Sequence, residues 1–94
     1  MIIASCKLKI QFHAIHSLKE KRRSLKSLLK RLPREFNVAT AEVDHHDVWQ
    51  TATIGIVSVG TDSGHLHSLL ESVIAWIELH RPDAVIENIE TEMI

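Results

Sequence analysis

Hydrophobic spacing changes period along this chain, and the order of the changes leaves few folds open. From residue 3 to residue 12, Ala4, Cys6, Leu8, Ile10 and Phe12 alternate with Ser5, Lys7, Lys9 and Gln11, which predicts a strand with one covered face. Ser17 followed three residues later by Glu20 is a capping box that opens a helix. That helix is expected to run to about Leu32. Leu18, Leu25, Leu28, Leu29 and Leu32 fall within one arc, and Pro33 disfavours helical geometry in the residue before it.

Phe36 to Val43 reads as a second strand and Val48 to Val59 as a longer third one, rich in Thr, Ile and Val. Asp44-His45-His46-Asp47 is the expected hairpin turn between them. After Gly60-Thr61-Asp62-Ser63-Gly64, a second helix carries Leu66, Leu69, Leu70, Val73 and Ile77 on one stripe and ends near Pro82. Ala84 to Met93 reads as the last strand. The order strand, helix, strand, strand, helix, strand predicts a ferredoxin-like α+β fold, a four-stranded antiparallel sheet with two helices on one face. The 94 residues have room for one hydrophobic core, so residues 1–94 are expected to form a single domain.

Three stretches in this order and spacing, Ser17 to Arg22 (SLKEKR), Phe36-Asn37-Val38, and Ala41-Glu42-Val43 with Asp47-Val48-Trp49-Gln50, resemble the YlxP-like family of small bacterial proteins over nearly the whole sequence. The resemblance implies a ferredoxin-like fold and a domain of unknown function. It also implies a ribosome or RNA connection, because genes of the family often neighbour those for translation initiation and ribosome maturation. That connection is one of association and specifies no chemistry.

Charge is sharply segregated. The first 34 residues hold ten of the eleven Lys/Arg and one acid, Glu20, whereas residues 35 to 94 hold eleven acids and one base, Arg81, so the net charge of −1 conceals a local +9 and a local −10. Such asymmetry points to an anionic partner, or to copies of the protein pairing head to tail. On a helix, Lys19, Arg23, Lys26 and Lys30 form one solvent-facing stripe, and Lys21 and Arg22 flank the Leu arc. Like charges four residues apart repel by a few tenths of a kcal/mol each, and a surface shaped for solubility alone would interleave Glu. The six residues Lys19, Lys21, Arg22, Arg23, Lys26 and Lys30 are therefore the candidate contacts to RNA phosphates, with affinity that falls steeply with salt. The bland reading of the same residues is a solvated helix face. No Tyr is present, so base stacking on central-strand aromatics is not expected, and binding would be to backbone and shape.

The third strand offers a different partner. Ala52, Ile54 and Ile56 lie on one side and Thr51, Thr53, Val57 and Val59 on the other, a weaker alternation than a sheet with one solvated face should show. Trp49, Thr51, Thr53, Val57 and Val59 are accordingly the candidate interface of a homo-oligomer, stacked through the open sheet face. A basic helix meeting the acidic last strand of another copy is the alternative.

Enzymatic signals are sparse. His13 and His16, His45 and His46, and His65 and His67 invite a metal reading, but zinc needs three or four converging ligands, and no pair has the four-residue helical spacing of a zinc-protease motif. A metal-assisted hydrolase would have to rely on these histidines. No catalytic set, metal or cofactor is expected. Glu87, Glu90 and Glu92 alternate along the last strand as a solvated edge would, and the lone Cys6 is expected to be a buried small hydrophobe. No run reaches the roughly 18 apolar residues of a membrane span. The charged, alternating start does not suit a secretion signal, which makes the cytoplasm the expected location.

Overall fold

The computed structural model describes residues 1–94, in the order β1 (Ile2–Phe12), α1 (Leu18–Glu35), β2 (Ala39–Asp44), β3 (Thr51–Gly60), α2 (Ser63–His80) and β4 (Ala84–Met93). The sheet order is β2-β3-β1-β4, and every neighbouring pair is antiparallel. This is the ferredoxin-like α+β arrangement. Register follows side-chain alternation: Cys6 pairs with Ile56, Leu8 with Ile54 and Ile10 with Ala52, so the apolar halves of β1 and β3 share one face. Leu25, Leu28 and Leu32 of α1 and Leu66, Leu70, Val73 and Ile77 of α2 close over that face, in one core of 17 buried residues. Each fully buried leucine contributes about 1.5–3 kcal/mol.

Three boundaries depart from the sequence expectation, two of them around the end of α1. Helix α1 does not stop at Leu32 but passes through Pro33 to Glu35. A proline inside a helix has no N–H to offer the carbonyl four residues back, here that of Leu29. The hydroxyl of Thr40, reaching from β2, donates to Leu29 O at 2.9 Å and takes that role. Strand β2 begins at Ala39 rather than Phe36. The Phe36 N–H caps α1 on Leu32 O at 2.9 Å, and Val38 N–H turns back onto Phe36 O at 2.9 Å, so residues 36–38 form a tight turn instead of strand.

The hairpin between β2 and β3 is longer than Asp44–Asp47 alone. Val48 N–H donates to His45 O at 3.1 Å, which keeps Val48 to Gln50 in the turn and delays β3 to Thr51. His45 has φ 61°, the left-handed region that costs an L-residue other than glycine. It is held there by a 2.8 Å hydrogen bond between its Nδ1 and Thr53 Oγ1 and by a contact from α1 described below. At the end of β3, Gly60 leaves room for Leu66 of α2, whose Cδ2 would lie 3.2 Å from an added Cβ.

Candidate nucleic-acid interface

Ser17 caps α1 by accepting from Glu20 N–H at 3.1 Å, and the Glu20 carboxylate reaches back to His16 N–H at 3.1 Å. The capping box is present, its return bond falling one residue earlier than in the usual motif. Glu20 is thereby occupied at the helix start. Around and beyond it, the solvent side of α1 carries Lys19, Arg22, Arg23, Lys26, Lys30, Arg31 and Arg34, all exposed. None of the seven forms an ion pair within the chain. Lys19 to Lys30 spans about 16 Å at 1.5 Å per residue.

The other cations are answered locally. Lys7 meets Glu90 at 3.4 Å and Lys9 meets Glu87 at 3.9 Å across the β1–β4 pair. Arg81, the one base of the acidic portion, meets Asp83 at 3.4 Å and donates to the carbonyl and hydroxyl oxygens of Ser24, tying the end of α2 to α1. Two of the three acids on β4 are therefore already partnered, which leaves a basic helix docking on another copy's last strand fewer free charges to meet. Arg31 lies apart from the stripe, its guanidinium carbon 4.8 Å from the centre of the Trp76 ring, which also stacks on His80 at 4.2 Å.

Lys21 does not belong to the exposed group. It is 1% exposed, and its Nζ lies 2.9 Å from Glu42 Oε2 and donates to His45 O at 2.6 Å. Its position is three residues after Leu18 and four before Leu25, within the apolar arc rather than beside it, so its ammonium must find a buried anion. That spacing was the signal for a structural lysine. Its partner Glu42 and the left-handed His45 could not be assigned from periodicity, because both contacts cross the fold. Arg22, by contrast, is exposed. With Lys26 and Lys30 it lines a groove of about 270 Å³ between α1 and β2, whose remaining walls are Leu25, Leu29, Thr40 and Glu42.

On the opposite sheet face, Val57 and Val59 are exposed and Trp49 is 37% exposed, while Thr51 is half-buried. Thr53 is 6% exposed and committed to His45, so it offers little surface to a partner. Val57 pairs with Ala39 and Gly55 with Ala41, and Val43 lies over Gly55, its Cγ1 3.0 Å from where a Cβ would be. The β2–β3 side of this face is thus apolar and the β1–β4 side carries the Lys–Glu pairs.

No three His, Cys, Asp or Glu side chains converge as a ligand set. His67 pairs with Glu71 at 2.8 Å on α2, away from the hairpin histidines. Asp62 Oδ1 accepts from Gly64 N–H at 2.9 Å and His65 N–H at 3.4 Å, so the N-terminus of α2 is filled by the protein's own carboxylate and does not await an anion. The Asp44 carboxyl is held below its ordinary value, chiefly because it accepts the His45 N–H and then through the nearby His45. Burial pushes the Cys6 thiol up, against a smaller opposing effect of its hydrogen bond with Thr91. A protonated, buried thiol is a poor nucleophile.

Residues 3–91 match the family described as Protein of unknown function (DUF503). The chain belongs to the DUF503 family. It is also 39% identical over 62 residues to an uncharacterized protein, YlxP, of Bacillus subtilis (strain 168), an alignment covering 66% of this chain and 67% of the relative. Among solved structures, a de novo designed protein, Foldit4, superposes with a TM-score of 0.52 at 15% identity, covering 99% of this chain and 94% of that one. That likeness shows the fold alone. The DUF503 chain has no helix long and apolar enough to cross a membrane.

Proposed function

We propose that this DUF503 protein is a non-enzymatic adaptor that holds structured RNA, ribosomal RNA included, by its phosphate backbone. Lys19, Arg23, Lys26 and Lys30 make the contacts and Arg22 assists from the flank. One observation carries the reading: the exposed cations of α1 have no counter-ion in the chain, whereas Lys7, Lys9, Lys21 and Arg81 each have one. Repulsion along the stripe costs the isolated helix a few tenths of a kcal/mol per pair, and no carboxylate of the chain pairs with these cations to offset it. Phosphates would offset it by releasing condensed counter-ions.

Four phosphate contacts on a duplex give a slope of about −3.6 in log K against log[salt]. A salt-titrated binding assay with structured RNA should show that dependence in the wild type and loss of binding in Arg23→Glu/Lys26→Glu. Unchanged affinity of the double variant at low salt would defeat the reading. A second reading, self-association through the open sheet face, is favoured by the exposed Val43, Val57 and Val59. Sedimentation velocity separates its modes: a dimer stable to high salt is apolar stacking, one that dissociates is held by charge, and a monomer throughout removes it.

A further inference from the structure

The groove between α1 and β2 has a composition that phosphate binding alone does not call for. Arg22, Lys26 and Lys30 stand one helical turn apart along one wall, and Leu25 and Leu29 form its apolar part. Glu42 is the only acid lining it, and its carboxylate is balanced by the buried Lys21 at 2.9 Å. Three cations therefore face the groove without an opposing charge. A reader of backbone needs cations only. A cationic rim beside the half-buried side chain of Leu29, with the buried Leu25 beneath, suits a ligand that is anionic on one side and flat and weakly polar on the other.

In RNA the unit with those two sides is an unstacked nucleotide, its phosphate at the rim and its base over Leu29. We infer that the α1–β2 groove takes an unpaired nucleotide of single-stranded or bulged RNA, so that the protein favours such segments over continuous duplex. The inference rests on the RNA reading above and names the class of RNA. In a duplex the bases are stacked and paired, and the groove would meet sugar, phosphate and base edges but no free base face. The site commits little to base identity: the proton of its one hydroxyl, on Thr40, is donated to Leu29 O, and Oε2 of its one carboxylate is held by Lys21. Without an aromatic platform, the base gains contact area but not the stacking that aromatic side chains supply.

Electrostatics alone makes the opposite prediction, since a duplex carries the denser charge and the steeper salt dependence. Fluorescence anisotropy of labelled single-stranded RNA and its matched duplex, at the same salt, is decisive. The single strand should bind about fourfold tighter, the worth of roughly one buried CH2 of contact between base and leucine. Arg22→Gln should weaken the single strand more than the duplex, while Arg23→Gln, which lies outside the groove, should weaken both alike. Both variants change exposed residues, and circular dichroism checks their folding. Duplex binding equal to or tighter than single-strand binding overturns the groove assignment and leaves backbone recognition standing. No binding of either RNA at low salt overturns both.

Discussion

Replacing Lys21 by Met isolates the energetics of the one buried ion pair. Methionine keeps most of the apolar stem at a site 1% exposed, so the change removes the ammonium with little loss of packing. It leaves the Glu42 carboxylate, 18% exposed, without its cation 2.9 Å away. Breaking a fully buried pair costs about 3–5 kcal/mol, and the partial exposure of Glu42 reduces this to about 2–3 kcal/mol. His45 O is not orphaned, because it still accepts from Val48 N–H at 3.1 Å. For a chain of this size the loss corresponds to about 10–20 °C in Tm. Adding Glu42→Leu should restore stability to within about 1 kcal/mol of the wild type, since paired apolar replacements of a buried ion pair are near neutral. Urea denaturation followed by tryptophan fluorescence gives the full double-mutant cycle. If Lys21→Met lies within 0.5 kcal/mol of the wild type, on the order of an ordinary surface change, or if the double variant is no better than the single one, the reasoning fails.

Three further outcomes are expected. Thr40→Val should cost about 1 kcal/mol in chemical denaturation, because it removes the donor that serves Leu29 O where Pro33 cannot; an unchanged midpoint would mean that water replaces it. Asp44→Asn should be less stable than the wild type at neutral pH, and the difference should shrink as pH falls through the depressed Asp44 pKa, since a carboxyl lowered by folding stabilises only while ionised. Parallel stability curves down to strong acid would contradict that. Cys6, buried with its thiol pushed up, should react with a thiol reagent at mildly alkaline pH far more slowly in the native protein than in urea. Equal rates would show that β1 opens freely.

The period changes along the chain were enough for the element order and for which face of β1 is covered, because alternation and helical spacing are local consequences of backbone geometry. The capping box at Ser17 and the charge segregation were legible for the same reason. Where the reading fell short, the controlling contact crossed the fold. Helix α1 continues past Leu32 because Thr40, eleven residues beyond Leu29, supplies the missing donor. Residues 36–38 leave the strand because Phe36 packs edge-on against Trp76 at 6.5 Å while its N–H caps the helix.

The basic stripe itself was fixed by sequence, since charges at spacings of four and three lie on one helix face whatever the helix packs against. Its membership was not. Lys21 lies inside the apolar arc, where Glu42 and His45 receive its ammonium, and Lys7 and Lys9 are balanced by acids some 80 residues away. Whether a cation is free is a property of its neighbours in space, and antiparallel pairing sets those neighbours at separations that no local pattern records. The groove beside Arg22 has the same origin: its leucines and cations come from one helix, but only the placement of β2 against α1 turns them into a cavity with two walls.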